Sequence, residues 1–445
     1  MSHPRTISLF ALIALVLGGL HAFTGRPPTA PEGKTIMDLW YPWIGPDGEA
    51  MRRLVDVFNK NQNSIFVRTL FVPDKLSSNQ KLFLSVAAGT PPDCAFVDGT
   101  QVCEWAARGA IQPLDDLMAR YGVQKDDFWE PCVRQCQFGG KTYAITYCAD
   151  PNFAFLWNKK VFAEAGMLEA GPPRTIEELD QKARALTAYD SRGRITRIGC
   201  IPWSVFGYAN SIFTWGWAFG GNFYDDQTGR IICGEDPGGL EALKWMKSYA
   251  DEYGFEKVNS FSEGFGAEAD NPFIRGKIAM AVGHVINIRL FKQYAPDLDY
   301  GVTSMPYPAR MGFDHSAWFG GWGMGIPRGA ESPDAAFQFM KWLCTSAEGG
   351  RSMIAMTGMF PGYKRSAGFE LVKGNAKLEI FYGILQNTRH QRPVMPAQAY
   401  FMGALDRAVV DTLTYAKTPE QALRDAQMET QRELDRVMTV YVKAR

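Results

Sequence analysis

Beyond residue 33 the chain alternates between short apolar runs and amphipathic stretches. Thr35–Trp40 reads as a strand, followed by a loop over 41–48 and a helix with Met51, Leu54, Val55 and Phe58 on one face. Ile65–Val72 predicts the next strand and Leu76–Ala88 the next helix, ended by Gly89. The apolar run within 91–98 predicts a third strand that stops on a turn. Strands alternating with helices imply an α/β class with a largely parallel sheet. Asn158 is placed to cap a helix over Lys159–Ala165. Thr175 and Glu178 make a capping box for a helix that turns Leu179, Ala183 and Leu186 inward. Glu241–Tyr253, Pro333–Leu343 and Pro419–Tyr441 are further helices by pattern, the last opened by Thr418 as cap and Pro419 at its first position. No internal repeat or low-complexity tract interrupts this order.

The N-terminal segment bears on where such a fold works. Arg5 precedes an acid-free apolar run from Ile7 to Leu20, shorter than the roughly 20 residues of a bilayer span and suited to an export signal. Residues 1–24 are read as a signal or membrane anchor, with cleavage near Ala22 and retention both open. No later stretch has the length and apolarity of a span, so the remainder is expected to be soluble in a periplasmic or extracytoplasmic compartment. Such a compartment permits disulfides. The eight cysteines are Cys94, Cys103, Cys132, Cys136, Cys148, Cys200, Cys233 and Cys344. Disulfides and buried free thiols both remain open. A metal role for Cys132 and Cys136 is weaker, because no His lies near them.

Composition removes some classes. With 47 basic and 47 acidic side chains the formal charge is zero, so no basic surface is available for general nucleic-acid binding. At 46% hydrophobic residues and 445 residues in length, the chain is able to bury about three units of 150 residues or two large lobes. Catalytic signatures are missing: there is no HExxH, no GxSxG and no GxGxxG after a strand, and Gly139–Thr142 matches only the tail of a phosphate loop. The five His are scattered. The acidic pairs Asp115–Asp116, Asp126–Asp127 and Asp225–Asp226 sit in turn or helix-start contexts that suit caps. No cofactor or metal site is read, and no catalytic residue is assigned.

The aromatic content, 13%, carries the positive signal. Seven tryptophans fall in three glycine-punctuated stretches: Trp40 and Trp43 in 38–50, Trp203, Trp215 and Trp217 in 201–226, and Trp318 and Trp322 in 315–327. A tryptophan beside Gly-Gly suits a ligand with a flat face that must be stacked while backbone groups approach closely. Sugar rings, with apolar C–H faces and polar rims, fit that description. Packing in the core or between lobes is the competing reading for each residue.

Seven segments in order also resemble the extracellular solute-binding proteins of ABC importers, specifically the maltose-binding-protein-like family 1 sugar-binding type. They are AAGTPPDCAFVD (87–98), GAIQPLDDL (109–117), FGGKTYAITY (138–147), FLWNKKVFAEAGM (155–167), PPRTIEELDQKARALT (172–187), FIRGKIAMAVG (273–283) and DAAFQFMKWLCTSAEG (334–349). The resemblance implies a two-lobed periplasmic-binding-protein fold of type II, each lobe a mainly parallel sheet flanked by helices. Lobe one would be 33–148 plus 284–328, and lobe two 149–283 plus 329–445. Crossings would fall near Tyr147–Asp150, Val282–Gly283 and Ile326–Ala330.

By that resemblance the ligand is a neutral sugar or oligosaccharide held between the lobes, and the partners are the transmembrane subunits of an ABC permease. No nucleic acid is implied, and membrane contact comes only through the N-terminal segment or the permease. Implied contacts are Trp40, Trp43, Asp47, Asp98, Gly99, Tyr147, Asp150, Trp215, Trp217, Trp318, Gly320, Gly321 and Trp322. The sequence departs from the family pattern at Thr146, where proline is usual, and at Gly283-His284-Val285, where an aromatic is frequent. His284 thereby becomes a further candidate contact. A glycan-cleaving enzyme using the same aromatics, and a same-fold receptor for a phosphorylated polyol or polyamine, are the alternatives. Arg289 and Arg392 are the anion donors available to the latter, each otherwise a surface charge.

Overall fold

The computed structural model describes residues 31–73, 76–266 and 268–443; the export segment lies outside them. The strands that position the site are β1 (Thr35–Tyr41), β2 (Ile65–Phe71), β3 (Cys94–Asp98), β4 (Ala144–Thr146), β5 (Asp150–Asn152), β6 (Ala154–Asn158), β7 (Met280–Gly283), β8 (Tyr300–Thr303), β9 (Trp318–Gly320), β10 (Trp322–Gly325) and β11 (His390–Gln391).

The first lobe is built on a five-stranded sheet of order β2-β1-β3-β10-β4. β1 is parallel to β2 and β3, as the alternation of strands and helices predicted, while β10 runs antiparallel to β3 and β4. The helix Gly45–Asn61 buries Met51, Leu54, Val55 and Phe58 against this sheet, the face read from the sequence. The second lobe differs from the expected parallel sheet: β6 is antiparallel to both β7 and β8. Its geometry follows from chain direction. β6 leaves the junction between the lobes just after β5, whereas β7 returns to it at Gly283, opposite Ala154.

The caps follow the sequence closely. Asn158 Oδ1 accepts from Val161 N at 3.2 Å and Thr175 Oγ1 from Glu178 N at 3.2 Å. Thr418 and Gln421 exchange bonds at 3.2 Å in both directions. Each satisfies helix N–H groups that would otherwise lack partners.

The division between lobes is corrected. β8 pairs with β6, so the segment after 284 returns to lobe two. The helices Pro333–Thr345 and Ala347–Thr357 pack on lobe one, where Ala336, Phe337, Met340 and Leu343 share a core with Met37, Leu39 and Met324. Between β4, in the five-stranded sheet, and β5, which pairs with β9, the chain runs through Tyr147–Ala149. A second crossing lies at Gly320–Trp322, where β9 pairs with β5 on the lobe-two side and β10 enters the lobe-one sheet. The expected position, Ile326–Ala330, is past it. A third connection follows Thr357, passes Cys148 through a bridge at Pro361, and leads to the helix Ala376–Gln386.

All eight cysteines are buried free thiols. Burial pushes Cys136 up to about 12 and Cys148 well above the usual thiol range. Among the described residues, no helix is long and apolar enough to cross a membrane, and no three His, Cys, Asp or Glu side chains are grouped to hold a metal ion.

Candidate functional site

Two strand pairings assemble the junction between the lobes. β10 on β3 places Trp322 opposite Asp98, and β9 on β5 places Gly320 opposite Asp150 and Trp318 opposite Asn152. Asp98, Asp150, Trp318, Gly320, Gly321 and Trp322, dispersed over more than two hundred residues of sequence, therefore meet. Gly321 has φ +131°, and a Cβ there would collide with the Cys148 carbonyl; a Cβ on Gly320 would collide with the Asn152 amide. Gly99 N–H donates to Gly321 O at 3.0 Å, and a Cβ on Gly99 would overlap Gln135. These glycines permit close approach of neighbouring segments.

Asp98 has its carboxylate committed twice. Its Oδ1 accepts from Thr100 N at 2.9 Å and Thr100 Oγ1 at 2.6 Å, capping the helix Gly99–Ala107. It also accepts from Arg392 Nη2 at 3.1 Å, from the opposite lobe. Arg392 is only 9% exposed, its guanidinium lies 5.2 Å from the Trp318 ring, and its Nε has no partner. A second ion pair crosses between the lobes: Asp47, in the first turn of Gly45–Asn61, binds Arg289 from the helix Ile286–Tyr294. Arg289 Nε also donates to Thr357 O at 3.1 Å. Burial raises the Asp47 carboxyl and the adjacent Arg289 opposes that rise. Arg289 and Arg392 are thus interlobe ties, not surface charges. Their partners lie 242 and 294 residues away, a distance at which sequence carries no local signal.

Asp150 and His284 form the polar floor. Asp150 is 8% exposed with no hydrogen bond to Oδ1, and His284 Nε2 stands 3.6 Å from that oxygen, beyond hydrogen-bond length. Asn152, 4% exposed, likewise leaves Oδ1 without a partner. Phe153, Phe206, Trp318 and His284 surround this floor at ring separations of 5.3 to 6.0 Å. Phe206, Phe153 and Asn152 carried no signal in the sequence reading, which followed the tryptophans.

The tryptophans divide by lobe. Trp43 and Trp322 are half-buried on lobe one, 5.2 Å apart, with Phe96 and Tyr147 beside Trp43. Trp40 lines a small cavity of about 30 Å³ with Asp98 and Trp322, and the Lys81 ammonium sits 5.0 Å from its ring. In lobe two the expectation for Trp215 is corrected: it is 0% exposed, its indole N–H donates to Pro202 O at 2.8 Å, and Trp245 packs 4.7 Å from it. It is a core residue, and Gly216 beside it lies against Phe223. Tyr147 is also fully buried, in the lobe-one core. Trp318 is buried with its N–H bound to Thr214 Oγ1 at 3.0 Å, leaving a ring face to Arg392. Trp217 is buried but lines a cavity of about 540 Å³ that also includes Asn222, Asp225, Asp226, Arg389 and Arg392. His390 stacks on it at 5.1 Å, and burial lowers that imidazole to about 4, keeping it neutral.

The junction therefore joins committed ion pairs, uncommitted buried oxygens and aromatic faces in one place. Known proteins are similar to this chain over most of its length. The family described as bacterial extracellular solute-binding protein matches residues 53–379. A maltotriose-binding protein of Pyrococcus abyssi (strain GE5 / Orsay) is 24% identical over 353 residues, covering 77% of this chain and 69% of that protein. The sn-glycerol-3-phosphate-binding periplasmic protein of Escherichia coli (strain K12) is 25% identical over 452 residues, covering 95% of each. Among solved structures, CpMnBP1 with mannobiose bound superposes with a TM-score of 0.78 at 28% identity, over 89% of this chain and 99% of that one.

Proposed function

The chain belongs to the bacterial extracellular solute-binding protein family, and from that premise we propose that it captures a neutral sugar or oligosaccharide between its lobes and presents it to an ABC permease. The observation that carries this reading is the set of uncommitted buried polar atoms at the junction: Asp150 Oδ1, Asn152 Oδ1 and Arg392 Nε. A buried polar atom left without a partner costs free energy, about 1–3 kcal/mol, that a ligand hydroxyl can recover. Aromatic faces beside such atoms suit the alternating polar and apolar surface of a sugar. The names of relatives that bind maltotriose and mannobiose support the same class. Trp40, Trp43, Trp217, Trp318, Trp322, Asp47, Asp98, Asp150 and His284 are the proposed lining, with Arg392 and Asn152 added. Work outside the cytoplasm follows from the family, and anchoring by residues 1–24 belongs to this proposal only.

A phosphorylated polyol is the second reading, prompted by the glycerol-3-phosphate-binding relative. The charge arrangement weighs against it. Arg289 and Arg392 are each paired with a carboxylate, and Asp47, Asp98 and Asp150 against two guanidiniums leave one formal negative charge. An anion would have to displace Asp47 or Asp98 from a buried pair. Hydrolysis is less favoured than binding for a related reason. Glycosidases flank the scissile bond with two free carboxyl groups, whereas Asp47 and Asp98 are held by arginine.

Intrinsic tryptophan fluorescence tests the reading, because Trp43 and Trp322 are half-exposed beside the junction. Titration with mannobiose, maltotriose and other neutral glycans is expected to give a saturable change without product formation. Silence across the panel would contradict sugar binding, and release of shorter glycans would make the protein an enzyme.

A further inference from the structure

On the flank of lobe one, the helix Gly45–Asn61 and the edge strand β2 leave a groove of about 720 Å³ between them. Lys34, Arg52, Arg53, Lys60 and Arg68 line it, against Glu49 and Asp56. Three of the cations are committed. Lys34 Nζ donates to Asn59 O at 3.1 Å and Gln62 O at 2.8 Å, Arg52 Nη1 to the Tyr41 hydroxyl at 3.1 Å, and Arg68 Nη2 to Asp38 Oδ2 at 2.7 Å. Arg53 and Lys60 are exposed, and neither has an ion pair among the described residues. With Asp38 counted, five cations meet three carboxylates, a local excess of positive charge on a chain whose formal charge is zero.

The chain runs into this groove from its N-terminal segment. Pro31 lines the groove, so only residues 25–30 separate it from residues 1–24, read as an export signal or anchor. A stretch of that length spans at most about 20 Å even when fully extended. A retained anchor therefore holds the groove close to the bilayer surface, where fixed cations attract anionic headgroups within a Debye length. The apolar run Ile7–Leu20 is shorter than a bilayer span, and an incomplete anchor gains firmness from a second, basic attachment. A lipid phosphodiester suits the groove: its oxygens accept from guanidinium and ammonium groups, and its glycerol carbons match the apolar side supplied by Phe66 and Val67.

We propose that this groove binds the headgroup of an anionic phospholipid and lays the flank of lobe one on the membrane that residues 1–24 anchor it to. This rests on the anchoring included in the function proposed above. The test reconstitutes the full chain into phosphatidylcholine vesicles with and without phosphatidylglycerol. All eight native cysteines are buried, so a dye on Asn63→Cys, an exposed position between the helix Gly45–Asn61 and β2, reports distance to an acceptor dye in the lipid. Energy transfer is expected to rise when phosphatidylglycerol is present. It should return to the neutral-lipid level in the double variant Arg53→Glu, Lys60→Glu and at about 1 M salt, where the Debye length is about 3 Å. The same charge change at exposed positions of lobe two, Arg192→Glu with Lys257→Glu, should leave transfer high. Both double variants should melt with the parent, since the substituted side chains are exposed. Equal transfer from the two lipids, or equal loss in the lobe-two variant, overturns the groove. Loss of the phosphatidylglycerol effect in excess inorganic phosphate at matched ionic strength would make it a phosphate site and overturn the lipid assignment. Anchoring is read separately by flotation of the full chain with neutral vesicles at high salt. A chain left behind there overturns the anchor, whereas salt-sensitive flotation with phosphatidylglycerol alone, lost in Arg53→Glu, Lys60→Glu, still supports the groove.

Discussion

Arg392→Ala is expected to weaken sugar capture about 100-fold while each lobe stays folded. Arg392 and Asp98 sit on opposite lobes and are both largely buried where they meet. Removing one partner of a buried pair leaves an uncompensated charge, at a cost of about 3–5 kcal/mol. In an open form, with the lobes apart, the same groups would be hydrated, so the cost falls on the closed form. Affinity depends on the difference between those states, and about 3 kcal/mol of closed-state destabilisation corresponds to roughly a 150-fold loss. Loss of the guanidinium over Trp318 acts in the same direction. The double variant Arg392→Ala, Asp98→Asn separates this from a simple lost ligand contact. Asparagine keeps the cap on Thr100 but carries no charge, so part of the affinity should return. A double variant no better than the single one would show that Arg392 acts only by touching the ligand.

Trp215→Ala is expected to destabilise the protein by about 3–5 kcal/mol, with the lobe-two melting transition falling by on the order of 10 °C. The indole is wholly enclosed, packs on Trp245 and spends its N–H on Pro202 O, so truncation opens a cavity and orphans a buried carbonyl. Sugar affinity of the folded fraction should stay within a few-fold of the parent. This outcome distinguishes the core residue from the ligand platform that its sequence setting predicted. Affinity lost without loss of stability would restore the earlier reading.

The contrast between these residues shows what the sequence could disclose. Local information was legible: Asn158, Thr175 and Thr418 cap the helices their spacing announced, because a cap depends on neighbours three residues away. Asp98 was placed at the cleft by the family resemblance alone, with a turn or cap carboxylate as the competing reading, and it does cap the helix Gly99–Ala107. Glycine beside tryptophan was ambiguous. Gly216 and Gly321 do permit close approach, but of Phe223 and of the Cys148 carbonyl, and nothing in the local pattern distinguishes a core neighbour from a ligand. The division into lobes failed on strands of three or four residues, β5, β8 and β9, which are too short to show a period. The Arg289 and Arg392 pairings are properties of the tertiary structure. Phe206 looked like one of 29 ordinary phenylalanines until its place beside Phe153 and His284 was known.

The central claim is that the junction recognises hydroxyl groups of a neutral sugar rather than an anion. A calorimetric competition tests it most directly: mannobiose or maltotriose titrated into the protein with and without excess sn-glycerol 3-phosphate. Saturable one-site heat from a neutral glycan, unaffected by the phosphorylated polyol, is the expected result. Heat from sn-glycerol 3-phosphate with none from any neutral glycan would contradict the account and assign Arg289 and Arg392 to the ligand instead.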